Sequence, residues 1–134
     1  MKSVKDRALI VEDSSTIAAI VKHYLELEGF DVLVATDGIA GLETARRELP
    51  DLIVTDMNLP GMDGLDMVRA LRADKPLQHM SLFMLTSDAS AETERRAREI
   101  GVDDYIVKPV PPKHLAARAR AVMDRGEKSR QWVN

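Results

Sequence analysis

Five short apolar segments alternate with five helical patterns along the chain, and this alternation restricts the fold more than any other feature. The segments cover residues 8–11, 32–35, 52–55, 80–85 and 105–107. Strands that are apolar on both faces and joined by helices form a parallel sheet covered on both sides, because each right-handed crossover must cover one face. We therefore predict an α/β fold with a doubly wound five-stranded parallel sheet, a (βα)5 three-layer sandwich.

The helical patterns differ in how much apolar surface they offer the sheet. The first pattern ends at Gly29, which is predicted to form the C-terminal cap of the helix. Its predicted inward face consists of Ile17, Ile20, Val21, Tyr24 and Leu25. The fourth, AETERRAREI, is mostly charged, so we expect it to pack loosely. The fifth begins after Pro111 and Pro112 and is predicted to end near Gly126.

Length and composition exclude several classes of protein. A chain of 134 residues is enough for one domain, which we place at residues 1–126, with residues 127–134 as a polar C-terminal tail or linker stub. A net charge of −3 gives no reason to expect direct nucleic-acid binding, and no apolar run is long enough for a membrane span. The absence of cysteine is consistent with a cytoplasmic protein.

Polar side chains gather where the predicted strands end. Carboxylates follow the first and third strands, and a hydroxyl and an amine follow the fourth and fifth; the residues are Glu12, Asp13, Asp56, Asn58, Thr86 and Lys108. Ligands bind at this edge of an open α/β sheet. Three carboxylates so close together need a cation to stay ionised, and oxygen ligands without cysteine or a nearby histidine favour Mg²⁺. Asp56 is placed to attack phosphorus, with Lys108 and Thr86 ready for phosphoryl oxygens.

Four motifs occur in order at the ends of these strands: LIVEDS, LIVTDMNLPGMDG, LTS and DDYIVKP. Over about residues 7–125 the sequence resembles the receiver domain of two-component response regulators, which have a flavodoxin-like fold. The resemblance implies a signalling switch rather than an enzyme, with Asp56 as the phosphoacceptor. It also implies a Mg²⁺ site made by Glu12, Asp13, Asp56 and the main-chain carbonyl of Asn58.

The resemblance assigns further roles around the acceptor. Asp56, Thr86 and Lys108 would carry the phosphoryl chemistry, and Thr86 and Tyr105 would form the switch, in which the ring turns inward as the hydroxyl moves. The Lys108–Pro109 bond would be cis. Asn58 and Asp88, each two residues beyond a site residue, flank the path of a hydrolytic water.

The last elements resemble the OmpR/PhoB group, in which phosphorylated dimers pair charges across a face made by the fourth helix, fifth strand and fifth helix. Asp104 with Arg118 and Glu99 with Arg120 match two of those pairs. The expected partners are a sensor histidine kinase or phosphotransfer protein, and a downstream protein or a second copy through this face. We expect no direct nucleic-acid binding and no membrane contact.

Two other functions stay open at this stage. The first is a receiver fold that binds partners independently of phosphorylation. The second is a Mg²⁺-dependent phosphohydrolase of the haloacid-dehalogenase type, although EDSST stands where the DxDxT loop of that class would follow the first strand.

Overall fold

A computed structural model describes residues 5–132, with side chains as far as Asp124. Five strands form one sheet in the order β2-β1-β3-β4-β5, and every pair is parallel. They are β1 (Arg7–Val11), β2 (Asp31–Ala35), β3 (Leu52–Asp56), β4 (Ser81–Thr86) and β5 (Asp104–Val107). The predicted doubly wound five-stranded sheet is therefore confirmed.

Five α-helices cover the sheet, and most of them begin at a side chain that caps the helix. They are α1 (Ser15–Leu27), α2 (Gly38–Glu48), α3 (Gly64–Ala73), α4 (Ala91–Glu99) and α5 (Pro112–Trp132), with a 3₁₀ turn at Lys75–Leu77. Ser14, Asp37, Asp63 and Ser90 each accept a hydrogen bond from a backbone N–H of the first turn. Such caps satisfy donors that the helix itself leaves unpaired.

The strands are buried on both faces, which produces two separate cores. Leu9 and Val11 of β1 face a core completed by α2, α3 and α4, whereas Ala8 and Ile10 face one completed by α1 and α5. Alternation of side chains along a strand explains this division. Among the described residues, no helix combines the length and the apolar character needed to cross a bilayer.

The inward face of α1 differs from the prediction. Its buried side chains are Ala18, Val21 and Leu25, whereas Ile17 and Ile20 are 44% and 43% exposed. The helical period fits two neighbouring apolar stripes: one contains Ala18, Val21 and Leu25, and the other contains Ile17 and Ile20. The small side chain of Ala18 lets the helix approach the sheet on one of them.

The last helix is longer than expected. α5 continues through Gly126 to Trp132. A glycine inside a helix costs about 1 kcal/mol relative to alanine, which weakens a helix without forbidding it. The helix therefore crosses the proposed domain boundary at residue 126, which stays a prediction. Residues 133 and 134 of the predicted tail lie outside the described residues.

Candidate functional site

Three carboxylates meet at the edge of the sheet where the strands end. One oxygen each from Glu12, Asp13 and Asp56 lie within 4.8 Å of one another. Glu12 and Asp56 are buried, and Asp13 is exposed. The structure thus brings together the three acids that the sequence placed after β1 and β3.

Burial raises the pKa of Glu12 above its ordinary value, and the negative charge of Asp56 and a hydrogen bond with Asp13 act in the same direction. A hydrogen bond from the backbone N–H of Ser14, 3.0 Å from Glu12 Oε2, and the charge of Lys108 oppose this rise without cancelling it. A carboxylate whose pKa rises in the folded protein binds protons more tightly than usual, and it has the same reason to bind a cation. The cluster therefore favours bound positive charge.

Asp56 is held from both of its carboxylate oxygens. Lys108 Nζ donates to Oδ2 at 2.7 Å, and the backbone N–H of Asn58 donates to Oδ1 at 3.3 Å. Lys108 follows β5 and precedes Pro109 across a cis peptide bond, as predicted. Asn58 itself is exposed beside the acids. These contacts fix the orientation of the carboxylate at the sheet edge.

Close backbone packing supports the loop after Asp56. A β-carbon at Gly64, the first residue of α3, would lie 2.7 Å from the carbonyl oxygen of Met57 and 2.8 Å from that of Asp56. The N–H of Gly64 donates to the same Met57 oxygen at 2.9 Å. Only glycine allows this approach without displacing the backbone, so the MDG end of the motif contributes to the position of Asp56.

Neither Thr86 nor Tyr105 makes a hydrogen bond to the Asp56 carboxylate. Instead, the side-chain hydroxyl of each makes a hydrogen bond with the backbone of Asp88, in the loop after β4. The buried Thr86 hydroxyl donates to Met57 Sδ at 3.4 Å and accepts from the N–H of Asp88 at 3.0 Å. The Tyr105 hydroxyl donates to the carbonyl oxygen of Asp88 at 2.8 Å. Burial raises the pKa of Tyr105, so its phenol stays protonated and able to donate.

Asp88 is thus the residue whose role sequence reasoning missed. The sequence analysis placed it only beside a water path. Its position two residues after a strand-end threonine was visible in the sequence, but its backbone contacts with Thr86 and Tyr105 depend on the shape of the loop.

The charge pairs predicted across the face of α4, β5 and α5 join two copies and stay predictions, but the structure shows what their arginines contact within one chain. Arg118 Nη2 lies 2.8 Å from Asp104 Oδ1 within the same chain. Arg120 instead binds Asp6 at 2.9 Å and stacks over Phe30, with its guanidinium carbon 4.2 Å from the ring centre.

These contacts within one chain do not test the pairing of Glu99 with Arg120 between two copies, which stays a prediction. Arg118 and Arg120 are two positions apart on α5, so their side chains leave the helix on nearly opposite sides. Glu99 pairs with Arg95 of its own helix, at 3.2 Å.

A largely apolar groove of about 280 Å³ lies beside the acceptor, between α1 and the loop that leads into α5. Ile17 and Ile20 line one wall, and Pro109, Val110 and Pro112 line the other. Lys108 also borders it, so the groove is continuous with the acidic edge.

A doubly wound sheet with three acids and a lysine at its carboxyl edge defines the class of phosphoacceptor switch domains. Residues 8–120 match the family described as the response regulator receiver domain, and the chain belongs to this family. It is accordingly a receiver domain of a two-component response regulator, a phosphoacceptor signalling switch. The two alternative functions are not favoured.

Similar proteins support this family from sequence and from structure. The chain is 39% identical over 127 residues, 95% of its length, to the DNA-binding response regulator MtrA of Mycobacterium tuberculosis, and covers 54% of that protein. It is 36% identical to the Bacillus subtilis alkaline phosphatase synthesis transcriptional regulatory protein PhoP, over 90% of the chain and 50% of the relative. The structure of the chemotaxis response regulator CheY4 of Vibrio cholerae matches with a TM-score of 0.83 and 31% identity, over 89% of this chain and 99% of that one.

These relatives correct the predicted set of partners. That set excluded nucleic acid, yet MtrA is a DNA-binding response regulator and PhoP a transcriptional regulatory protein. The chain spans about half the length of these curated relatives. The prediction was wrong because it took the net charge of one segment as a guide to the partners of a regulator.

Proposed function

We propose that Asp56 is the phosphoacceptor of this receiver domain. A carboxylate oxygen of Asp56 attacks the phosphorus of a phosphohistidine, the P–N bond breaks, and the histidine nitrogen keeps the electron pair and takes up a proton. The product is an acyl phosphate on Asp56. The observation that carries the proposal is the position of the Asp56 carboxylate, within 4.8 Å of the oxygens of two other acids and 2.7 Å from an amine.

Lys108 and Thr86 would bind the transferred group. The Lys108 amine already contacts Asp56 Oδ2, so it can follow the developing negative charge onto a phosphoryl oxygen. The Thr86 hydroxyl is buried at the end of the neighbouring strand and has a single proton to donate. Its present acceptor is the sulfur of Met57, a weak one, which favours exchange for a charged phosphoryl oxygen.

The donor set fits Mg²⁺. The cluster offers only carboxylate oxygens, which are hard ligands, and after burial the charge of Asp56 contributes to the raised pKa of Glu12. Glu12, Asp13 and Asp56 would hold the ion, together with the main-chain carbonyl of Asn58. When bound, Mg²⁺ would offset the charge that the carboxylates and the phosphoryl oxygens bring together.

Thr86 and Tyr105 would form the switch. In the structure the Tyr105 ring is buried and both hydroxyls bind Asp88. A phosphoryl group on Asp56 would attract the Thr86 hydroxyl and so disturb the contacts of the same loop. The domain would respond by a shift between two populations, as expected for a charge that acts on a bistable element.

The test is the intact mass of the protein after incubation with Mg²⁺ and acetyl phosphate. We expect one labile phosphoryl adduct on the wild type, none on Asp56→Asn, and none when EDTA removes Mg²⁺. Asp66→Asn provides the matched control, because Asp66 is an exposed aspartate on α3 that pairs only with Arg69 among the ion pairs of the described residues.

Adduct formation on Asp56→Asn equal to that on the wild type would overturn the assignment. Failure of every phosphodonor, with beryllofluoride also unbound, would instead favour a receiver fold that works without phosphorylation. Steady hydrolysis of an external phosphate ester, lost in Asp56→Asn, would favour a phosphohydrolase.

We also propose that the domain acts in the cytoplasm, because the curated relatives named above include DNA-binding and transcriptional regulators. Fractionation of cells that express the natural gene tests this location. Recovery of the protein outside the cytoplasmic fraction would contradict it.

A further inference from the structure

Asp88 connects three parts of the molecule through separate atoms. Its backbone N–H donates to the Thr86 hydroxyl at 3.0 Å, and its carbonyl oxygen accepts from the Tyr105 hydroxyl at 2.8 Å. Both switch residues are therefore bound to the backbone of one loop residue. Neither contact uses the Asp88 side chain.

The Asp88 carboxylate points instead to the start of α4. Oδ1 accepts from the backbone N–H of Ser90 at 2.8 Å, and Oδ2 accepts from the Thr93 hydroxyl at 2.8 Å. Ser90, the N-cap of α4, donates its hydroxyl to Thr93 Oγ1 at 2.9 Å and accepts from the Thr93 N–H at 3.3 Å. The hydrogen bonds from Ser90 and then Thr93 lower the pKa of Asp88, so this carboxylate is charged at neutral pH.

Little else holds the first turn of α4. Ala97 is the one buried residue of the helix, all of which lies within the described chain. The far end is fixed more firmly, since Arg72 donates two hydrogen bonds, at 2.7 and 3.0 Å, to the carbonyl oxygen of Gly101 just after α4. The C-terminal end of α4 is thus held by the burial of Ala97 and by Arg72. Its N-terminal end is held mainly through Asp88, Ser90 and Thr93.

We infer that Asp88, Ser90 and Thr93 act as positioning residues that couple the switch pair to the first turn of α4. The inference rests on the proposed function of Asp56. When the Thr86 hydroxyl turns to a phosphoryl group, the N–H of Asp88 loses its acceptor, and the loop is freed from this contact with β4. The carboxylate carries the N-terminal turn of α4 with the loop, while Arg72 keeps the other end in place.

The coupling is tested by hydrogen exchange of α4 amides with and without Mg²⁺ and beryllofluoride, which mimics a phosphoryl group. In Thr93→Val the side chain keeps its shape but loses the donor to Asp88. We expect the change in exchange at residues 90–96 to fall about threefold or more relative to wild type, as suits the loss of one hydrogen bond in a marginal turn. Thr93→Ser should restore the response.

Two further variants separate coupling from general damage to α4. Asp88→Ala breaks the same bond from the other side and should reduce the response similarly, which also covers the case that Thr93→Val unfolds. Glu92→Gln removes a first-turn charge whose one ion pair among the described residues is an exposed contact with Arg96, at 3.7 Å, and should respond as the wild type does.

Fluorine NMR of bound beryllofluoride, measured on every variant, keeps the two proposals distinguishable. Normal binding with a full α4 response in both Thr93→Val and Asp88→Ala would overturn the coupling and leave the phosphoacceptor assignment intact. If the wild type binds no beryllofluoride, the proposed function fails and the coupling falls with it. Normal binding with a reduced α4 response in those two variants supports the coupling.

Discussion

The two edges of the sheet use charge in opposite ways. Where the strands begin, three acids are paired with arginines: Arg7 with Glu48 at 2.6 Å, Arg72 with Asp103 at 3.0 Å, and Arg120 with Asp6 at 2.9 Å. Where the strands end, Glu12, Asp13 and Asp56 lie together, and among the ion pairs of the described residues only Asp56 has a cationic partner, Lys108. The ion pairs at the first edge stabilise the fold, whereas the excess of carboxylates at the second edge is available to bind a cation.

The pKa shifts at the two edges have opposite signs. Hydrogen bonds from Arg7 and then Arg47 lower the pKa of Glu48, whereas burial and then neighbouring acids raise the pKa of Glu12. The same residue type therefore favours folding at one edge and opposes it at the other when both are ionised. Functional sites commonly accept such a local cost, which the rest of the fold must offset.

The largest expected effect is at the paired edge, in Arg72→Ala. The guanidinium of Arg72 donates to the carbonyl oxygens of Gly101, Met80 and Gln78 and to the carboxylate of Asp103. Its loss leaves partly buried carbonyls without a donor, so we expect unfolding free energy to fall by about 3 kcal/mol. Urea denaturation measures this loss.

Arg69→Ala is the matched control, because Arg69 lies on the same helix and makes an exposed pair with Asp66. It should cost no more than about 0.5 kcal/mol. Equal losses of unfolding free energy in the two variants would show that the contacts of Arg72 do not stabilise this edge.

The next effect has the opposite direction and is at the acidic edge. Because the pKa of Glu12 is raised on folding, its contribution to stability is present below the ordinary value of 4.5 and is lost as pH rises through the raised value. Glu12→Gln should therefore melt higher than wild type at pH 7 without Mg²⁺, by on the order of 3 °C, with the gap closing towards pH 4.5.

If Mg²⁺ binds the proposed site, it should reverse this order, because the wild type would offer the ion one more carboxylate than the variant. Thermal unfolding with and without Mg²⁺, across the same pH range, gives both comparisons. A variant that is less stable than wild type at pH 7 without Mg²⁺ would contradict the view that charge at this edge opposes folding.

The sequence predicted the frame of the molecule and the members of its candidate site, for related physical reasons. Apolar segments of strand length with helical patterns between them have few arrangements, and parallel strands bring their carboxyl ends to one edge. The acids after β1 and β3 and the lysine after β5 therefore had to meet. The structure adds the distances, such as the 2.7 Å contact between Lys108 and Asp56.

What the sequence could not predict depends on helix rotation and loop shape. Ile17 and Ile20 fit the helical period as well as Ala18 does, so only the docking of α1 decides which stripe is buried. The contact of Arg120 with Asp6 within the chain was not predicted, because charge type does not reveal the side to which a helix residue points. The contacts of Asp88 use backbone atoms, which leave no mark on residue type.

A smaller effect is expected for Glu48→Gln, the counterpart of Glu12→Gln at the paired edge. A lowered pKa means that the stabilising contribution of Glu48 is present above its ordinary value of 4.5 and is lost as pH falls through the lowered one. The variant should therefore melt slightly lower than wild type at pH 7, and the gap should close in acid. A gain in melting temperature at pH 7 would remove the contrast between the edges.

The smallest effect is expected for an exposed charge pair on the surface of α4. Arg95 and Glu99 form an exposed pair four residues apart, at 3.2 Å, and Arg98 and Glu94 form another at 3.1 Å. Arg95→Gln should lower the unfolding free energy by no more than about 0.5 kcal/mol, and 1 M salt should remove most of that loss. Urea denaturation at low and high salt measures both. A loss as large as that of Arg72→Ala would mean that α4 is held by its surface charges, and the contrast would then lie between helix surface and sheet rather than between the two edges.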